Sequence, residues 1–395
     1  MAATETGVWD LQDVRDKQLA GNWTYSEPNT LWSWGTNNYG QVGVNHTAEI
    51  SSPTQIGALT TWKFINGATG GGGGNFAINL SGNLFAWGNN PSGQLGLSDK
   101  DKRSSPVQVG SDTTWKYISN AYGQGISAIK TDGTLWSWGN GTNGNLSQNN
   151  TTEYSSPRQV GTNTTWNSVV GNVSNAEAFW ATKTDGTLWA WGSNTYGILA
   201  QSDLVKRSSP VQIGTETTWA HGQDKLCGGA NHALATKTDG TLWSWGYNGF
   251  AVLGQNARSQ YTHYSSPLQI PGTTWSSVTT NKYSVMARKT DGTIWTWGYN
   301  DQGELGQNDR AWLSSPTQVG TNATWKSIQI QGGWNAGFTA IKTDGSLWTW
   351  GLNQQGGLGL NVGPSGGNRS SPTQIPGTWT ESTGKVYGAI CKQQA

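Results

Sequence analysis

Apolar and polar positions alternate in short runs along most of this chain, and the runs return at a fixed interval. In Thr134-Leu135-Trp136-Ser137-Trp138 a period of two puts both tryptophans on one face of a strand and Leu135 with Ser137 on the other. A Trp-x-Trp-Gly box of this kind occurs at 32–35, 136–139, 189–192, 243–246, 295–298 and 348–351, and at 85–88 with Phe85 as its first aromatic. The second tryptophans follow one another at steps of 51 to 54 residues. Ser-Ser-Pro triplets keep the same phase, ending at Pro53, Pro106, Pro157, Pro210, Pro267, Pro316 and Pro372. Thr-Trp pairs keep it too, at Trp62, Trp115, Trp166, Trp219, Trp275, Trp325 and Trp379. A period near 50 residues is the mark of a repeat architecture.

Each period predicts four strands. Ala128 to Gly139 holds two runs joined through Asp132-Gly133, and an Asp-Gly pair between such runs signals a hairpin because the tight turn needs positive φ. Asp185-Gly186, Asp239-Gly240, Asp291-Gly292 and Asp344-Gly345 repeat it, with Ser81-Gly82 as a variant. The Thr-Trp segment gives a third strand and the residues after Ser-Ser-Pro a fourth. Proline has no N–H for the ladder, so this last strand belongs at the outer edge of its sheet.

A single four-stranded sheet buries too little to stand alone, whereas a radial set of them buries every face. The fold class expected is therefore all-β: a seven-bladed β-propeller of four-stranded blades, each placing its tryptophan face on the small face of its neighbour. The first box, 30–34, has no strand before it, and 387–392 has no box after it. The two ends are expected to share one blade, closing the ring and removing two open edges. The domain reading is a propeller over 30–395 preceded by an N-terminal arm, 1–29. In that arm Trp9-Asp10-Leu11 through Gly21 predicts a short helix, capped by Asp10, stapled by Trp9 on Val14 and stopped at Gly21.

Composition narrows the function classes. The chain has 395 residues with 24 Lys+Arg against 23 Asp+Glu, and only 12% of its residues are charged. A balance this even gives no electrostatic pull on nucleic acid. No apolar run reaches the length of a membrane span, and no secretory signal is visible at the N-terminus. Twenty of the 25 tryptophans fall in the repeating boxes, so their excess is structural.

Candidate chemistry is sparse. His46, His221, His232 and His263 lie in different repeats without metal-ligand spacing, and His232 is read as a packing residue. Cys227 and Cys391 are read as free thiols rather than as a bridge. The glycine run 70–74 lacks the Lys-Ser/Thr of a phosphate loop and is read as a crowded loop. Asp132 and its counterparts are explained by turn geometry. The expectation is no catalytic residue, no cofactor and no metal. What varies most between copies is the stretch ahead of Ser-Ser-Pro, at 98–103, 260–264, 309–313 and 360–369. Variable loops on a rigid scaffold bind partners, and Tyr261, Tyr264 and Trp312 are the candidate anchors.

The run Asn89-Asn90-Pro91-Ser92-Gly93-Gln94-Leu95-Gly96, and likewise Asn300-Asp301-Gln302-Gly303-Glu304-Leu305-Gly306, resembles the regulator of chromosome condensation repeat. The resemblance covers about residues 30–392 and implies a seven-bladed propeller. Members of that family include exchange factors for small GTPases, β-lactamase inhibitors and an ultraviolet photoreceptor. The protruding insertion and basic tail implied by the first are absent here, and Gly333-Trp334-Asn335 lacks the arginine implied by the last. The segment from Gly7 to Trp23 resembles a short stretch of bacteriophage structural and tail-fibre proteins. That resemblance implies a non-enzymatic virion component: a head decoration, tail or fibre part, anchored to other virion proteins through Trp9, Leu11, Val14 and Leu19. Such a component would touch a host-surface protein or glycan, without nucleic acid or membrane insertion. The alternative is a free protein-binding propeller, cytoplasmic or released, that uses its variable loops as an inhibitor or adaptor does.

Overall fold

The computed structural model describes residues 29–59, 61–67, 74–174, 176–257, 262–330, 337–353, 357–361, 367–385 and 388–394. Their strands form seven antiparallel four-stranded sheets. Six are blades of four consecutive strands, a to d from the axis outward: blade I (62–108), II (115–159), III (166–212), IV (226–270), V (275–318) and VI (325–375). The remaining sheet is shared by the two ends. Its strands a and b are Trp379–Lys385 and Gly388–Gln394, and its strands c and d are Asn29–Gly35 and Ile50–Ile56.

Blade II shows why the repeat folds this way. Its strands are Trp115–Asn120, Gly125–Lys130, Leu135–Gly139 and Tyr154–Gln159. Between b and c, the Asp132 carboxylate accepts the Thr134 N–H at 2.9 Å and its hydroxyl at 2.7 Å, while Gly133 takes φ 78°. These two bonds also hold the Asp132 carboxyl below its usual range. Strand d pairs Tyr154 with Gly139 and then Arg158 with Ser137, so Pro157 sits inside a bulge where its missing N–H costs the ladder nothing.

Neighbouring blades are joined by tryptophan. Trp138 is fully buried against Phe76, Ile78, Ala86 and Leu95 of blade I, and its indole N–H donates to the Gln94 carbonyl at 2.9 Å. The same clasp recurs from Trp87 to Gln41, Trp191 to Asn145, Trp245 to Ile198, Trp297 to Val252, Trp350 to Glu304 and Trp34 to Gly357. Gly96 makes room for it: a Cβ there would stand 2.9 Å from the Trp138 Nε1, at a φ of 73°.

The clasp loop carries its own cap. Gln41 accepts the Tyr39 N–H at 2.8 Å and Gln94 the Ser92 N–H at 3.0 Å. Asn145 stands at the same place, one methylene shorter and fully buried, and neither end of its amide finds a partner. Asn145→Gln is expected to restore the cap and stabilise the fold by about 1 kcal/mol, read as a rise in the urea midpoint at unchanged slope.

The expected fold class, seven blades with a helical arm, is corrected. Contiguous repeats build six blades, the remaining sheet being divided between the chain ends. No α-helix occurs among the described residues, whose one helical element is a 3-10 turn at Thr195–Gly197. The arm residues Trp9, Leu11, Val14 and Leu19 lie outside the described residues.

Candidate interaction face and channel

The a strands surround a central channel of about 330 Å³. One ring of its lining, read from equivalent pairing positions, is Asn66, Ser119, Val170, Cys227, Thr279 and Gln329. Blade IV departs from the pattern here. Its a strand is only Leu226–Gly228, because the residues before it leave the ladder. From that segment Gln223 reaches the two preceding blades along the channel wall, donating its amide to the Ile118 carbonyl at 3.2 Å and the Val169 carbonyl at 3.0 Å. Val278 N–H donates to the Asp224 carbonyl at 2.8 Å. One side chain thus ties blades II, III and IV together inside the channel. The Cys227 thiol is buried and pushed far above its usual range by desolvation, which leaves it unreactive.

His232 is 2% exposed and its Nε2 lies 2.9 Å from the Thr280 hydroxyl, so it links blades IV and V. Desolvation pushes its pKa down to about 3, so it stays a neutral packing residue. Among the described residues no group of three or more His, Cys, Asp or Glu could hold a metal ion.

In antiparallel blades the a–b and c–d loops emerge on one side of the disk and the b–c turns on the other. On the loop side of blades III to V six aromatic rings meet. Tyr196 lies 4.9 Å from Tyr247, and Phe250 is 6.3 Å from Tyr247 and stacked at 3.8 Å on Tyr283. Phe250 is also 5.7 Å from Trp312, which is 4.8 Å from Tyr299. These rings are partly exposed, Tyr196 the most at 39%. The Trp312 indole N–H donates to Asp301 Oδ1 at 2.6 Å. Burial, then the hydrogen bond and negative charge of Asp301, push the Tyr299 hydroxyl well above its usual range.

Of the loop anchors expected from sequence, Trp312 lies in this cluster. Tyr264 does not: it sits on strand d of blade IV, partly buried against the core between blades IV and V. Tyr261 lies outside the described residues, as do Trp334 and most of the glycine run. Two features escaped the sequence reading. Gln223 carries no local signal. The lysine of Lys-Thr-Asp-Gly did carry one, since it recurs in phase at Lys130, Lys183, Lys237, Lys289 and Lys342. Each ammonium rests between the Thr-Trp ring and the first box ring; for Lys130 the distances are 4.8 Å to Trp115 and 3.6 Å to Trp136.

Beside the aromatic cluster, Glu304 is fully buried. Its Oε2 accepts the Gln302 N–H at 2.9 Å and its Oε1 has no partner. Desolvation raises its pKa from 4.5 to about 7. A raised folded-state value means that the stabilising proton is fully held below pH 4.5 and lost as pH rises through 7. Glu304→Gln, which installs the residue found at positions 41 and 94, is expected to remove this loss. The variant should unfold at higher temperature at pH 8, by roughly 3 kcal/mol of added stability, and match the parent at pH 4.5. Thermal melts at the two pH values check it.

A disk of four-stranded blades clasped by repeat tryptophans and closed by both chain ends defines a β-propeller. The regulator of chromosome condensation (RCC1) repeat matches residues 29–78, 81–129, 185–235, 291–339 and 344–386, and a second form of that repeat matches 224–251. The chain belongs to the RCC1 repeat family. It is similar to the human E3 ubiquitin-protein ligase HERC2, 29% identical over 86% of this chain but only 7% of the ligase. It is also similar to the ultraviolet-B receptor UVR8 of Arabidopsis thaliana, 24% identical over 83% of this chain and 74% of the receptor. Two solved structures share the fold. Prp20p of Saccharomyces cerevisiae has TM-score 0.78 and 17% identity, covering 94% of this chain and 93% of that one. Human WBSCR16 has TM-score 0.79 and 16% identity, covering 93% and 99%. None of these relatives is a bacteriophage protein.

Proposed function

We propose that this chain is a non-catalytic protein-binding propeller that engages its partner through the aromatic side of blades III to V. The observation that carries this reading is the convergence of Tyr196, Tyr247, Phe250, Tyr283, Tyr299 and Trp312, from separate loops of successive repeats, into one partly exposed cluster. Large rings with polar tips supply contact area at low entropic cost, which is why they dominate interface energetics. The structural relatives support it: Prp20p binds Gsp1p and histones, and yeast RCC1 has been solved bound to Kap60. The partner of this chain is accordingly a protein.

The virion reading rests on residues 1–29, whereas the protein-binding reading rests on described geometry and on the family. Proximity labelling from the full chain in its native source, followed by binding measurements with each labelled protein, tests the proposal. Phe250→Ala with Trp312→Ala is expected to weaken the partner at least tenfold, while Asp132→Asn on the opposite side changes nothing. A partner held equally well by the double variant would count against this face.

A further inference from the structure

We propose that the pocket between blades V and VI, bounded by Lys342, Trp325 and Trp348, is a binding subsite for a carboxylate group. It encloses about 360 Å³ between the clasp loop of blade V and the Trp325 strand of blade VI. Lys342 Nζ stands 4.9 Å from the Trp325 ring and 4.1 Å from the Trp348 ring, and makes no ion pair among the described residues. Trp325 is 3% exposed and its indole N–H has no acceptor. Asp344, two residues along, commits its Oδ1 to the Ser346 N–H and hydroxyl in the hairpin turn. The pocket therefore offers an ammonium and two indole walls.

The repeat itself shows what fills such a place. In the equivalent pocket of blade II, about 420 Å³, Lys130 rests on Trp115 and Trp136 in the same way, and the Asp112 carboxylate forms an ion pair with its ammonium. Lys237 of blade IV takes the Glu216 carboxylate at 2.5 Å. The segment Gly110-Ser111-Asp112-Thr113-Thr114-Trp115 aligns with Gly320-Thr321-Asn322-Ala323-Thr324-Trp325, so the residue in place of the acid is Asn322. The chain supplies its own carboxylate to Lys130, whereas at Lys342 the corresponding Asn322 carries no charge and commits its Oδ1 to the Thr324 N–H and hydroxyl. An incoming carboxylate with a flat or apolar body meets the ammonium while its body lies on the indoles. The subsite lies between the blades, apart from the aromatic loop face, and stands whether or not that face binds a protein.

The test is a titration of the full chain with sodium benzoate, following the indole N–H resonance of Trp325 by NMR. A parallel titration uses a short glutamate-rich peptide amide. Saturation by benzoate with little response to the peptide assigns a small carboxylic acid; preference for the peptide assigns an acidic side chain of a macromolecule. Asn322→Asp, which copies the folded arrangement at Asp112, is expected to weaken binding at least tenfold by pairing the Lys342 ammonium from within. Lys342→Met should abolish binding. Asp112→Asn should open another such site in blade II, reported by Trp115. A Trp325 resonance that neither ligand moves, or binding undiminished in Asn322→Asp, overturns the proposal. Failure of Asp112→Asn to create the blade II site overturns the equivalence on which it rests.

Discussion

Removal of the strand Gly388–Gln394 is expected to abolish cooperative folding of the ring. This strand is the inner seam of the sheet that the two chain ends share. It pairs with Asn29–Gly35 at seven positions, from Asn29 with Gln394 to Gly35 with Gly388, and on its other side with Trp379–Lys385. Without it, two strands at opposite ends of the sequence lose their common partner and two sheet edges open. The damage spreads to both flanks. Trp34 is buried with Ile341, Leu347 and Ile375 of blade VI and donates to the Gly357 carbonyl at 3.2 Å. Leu31 and Ile56 pack on Trp62, Ala77 and Trp87 of blade I. The expected loss is comparable with the whole ~5–15 kcal/mol that holds a typical domain together. Circular dichroism melts of the chain ending at Tyr387 should lose their single sharp transition, and size-exclusion chromatography should show association. Deleting Ala395 alone should leave both unchanged. A truncated chain that melts as one sharp unit within a few degrees of the parent would show that the ring does not need its seam.

Much of this architecture could be read from the sequence, because the repeat writes local rules many times over. Asp-Gly pairs sit at tight hairpin turns since Asp132 and its counterparts bond the residue two places on. Pro157 and its counterparts mark outer strands because only there is a missing N–H tolerated. The functional side was less legible. Gln223 acts 105 residues away, on the carbonyl of Ile118, and nothing in its neighbours in sequence foretells a tie to the two preceding blades. Phe250 and Tyr283 meet because the a–b loop of one blade abuts the c–d loop of the blade before it, which follows from ring curvature rather than from a motif. Trp312 stood out as a variable-loop aromatic and does join that cluster. Tyr264 stood out on the same grounds, yet strand d extends to His263 and carries it into the wall between blades. The helix read from Trp9 through Gly21 on its caps lies outside the described residues. The Lys-Trp pockets are the instructive omission. Lysine in phase was visible, but its burial between two rings needs the blade twist that brings Trp115 beside Trp136, 6.0 Å apart.

Trp138→Ala should cost far more than Trp136→Ala, although the two residues share one strand and one face. Trp138 is completely buried, edge-on to Phe76 at 6.4 Å and to Trp115 at 5.9 Å, and its N–H is the donor for the Gln94 carbonyl of the preceding blade. Truncation leaves a cavity of indole size in a close-packed seam, which costs about 3–5 kcal/mol. It also strips a buried carbonyl of its partner, adding about 1–3 kcal/mol. Trp136 is partly exposed, and its N–H serves only Thr134, in the turn just before its own strand, at 2.8 Å. Its loss removes one wall of the Lys130 sandwich but leaves Trp115 and Asp112 in place. About 1–2 kcal/mol is expected there, the scale of a desolvated cation–π contact. Trp138→Phe separates the two contributions to the larger effect, since it keeps most of the ring volume and deletes the donor. Urea unfolding of the three variants should rank them Trp138→Ala, Trp138→Phe, Trp136→Ala in falling damage. If Trp136→Ala proves the worst, the blades are held by the cation-filled rim rather than by the indole clasp, and the seven equivalent Trp-to-carbonyl bonds are a consequence of the ring instead of its cause.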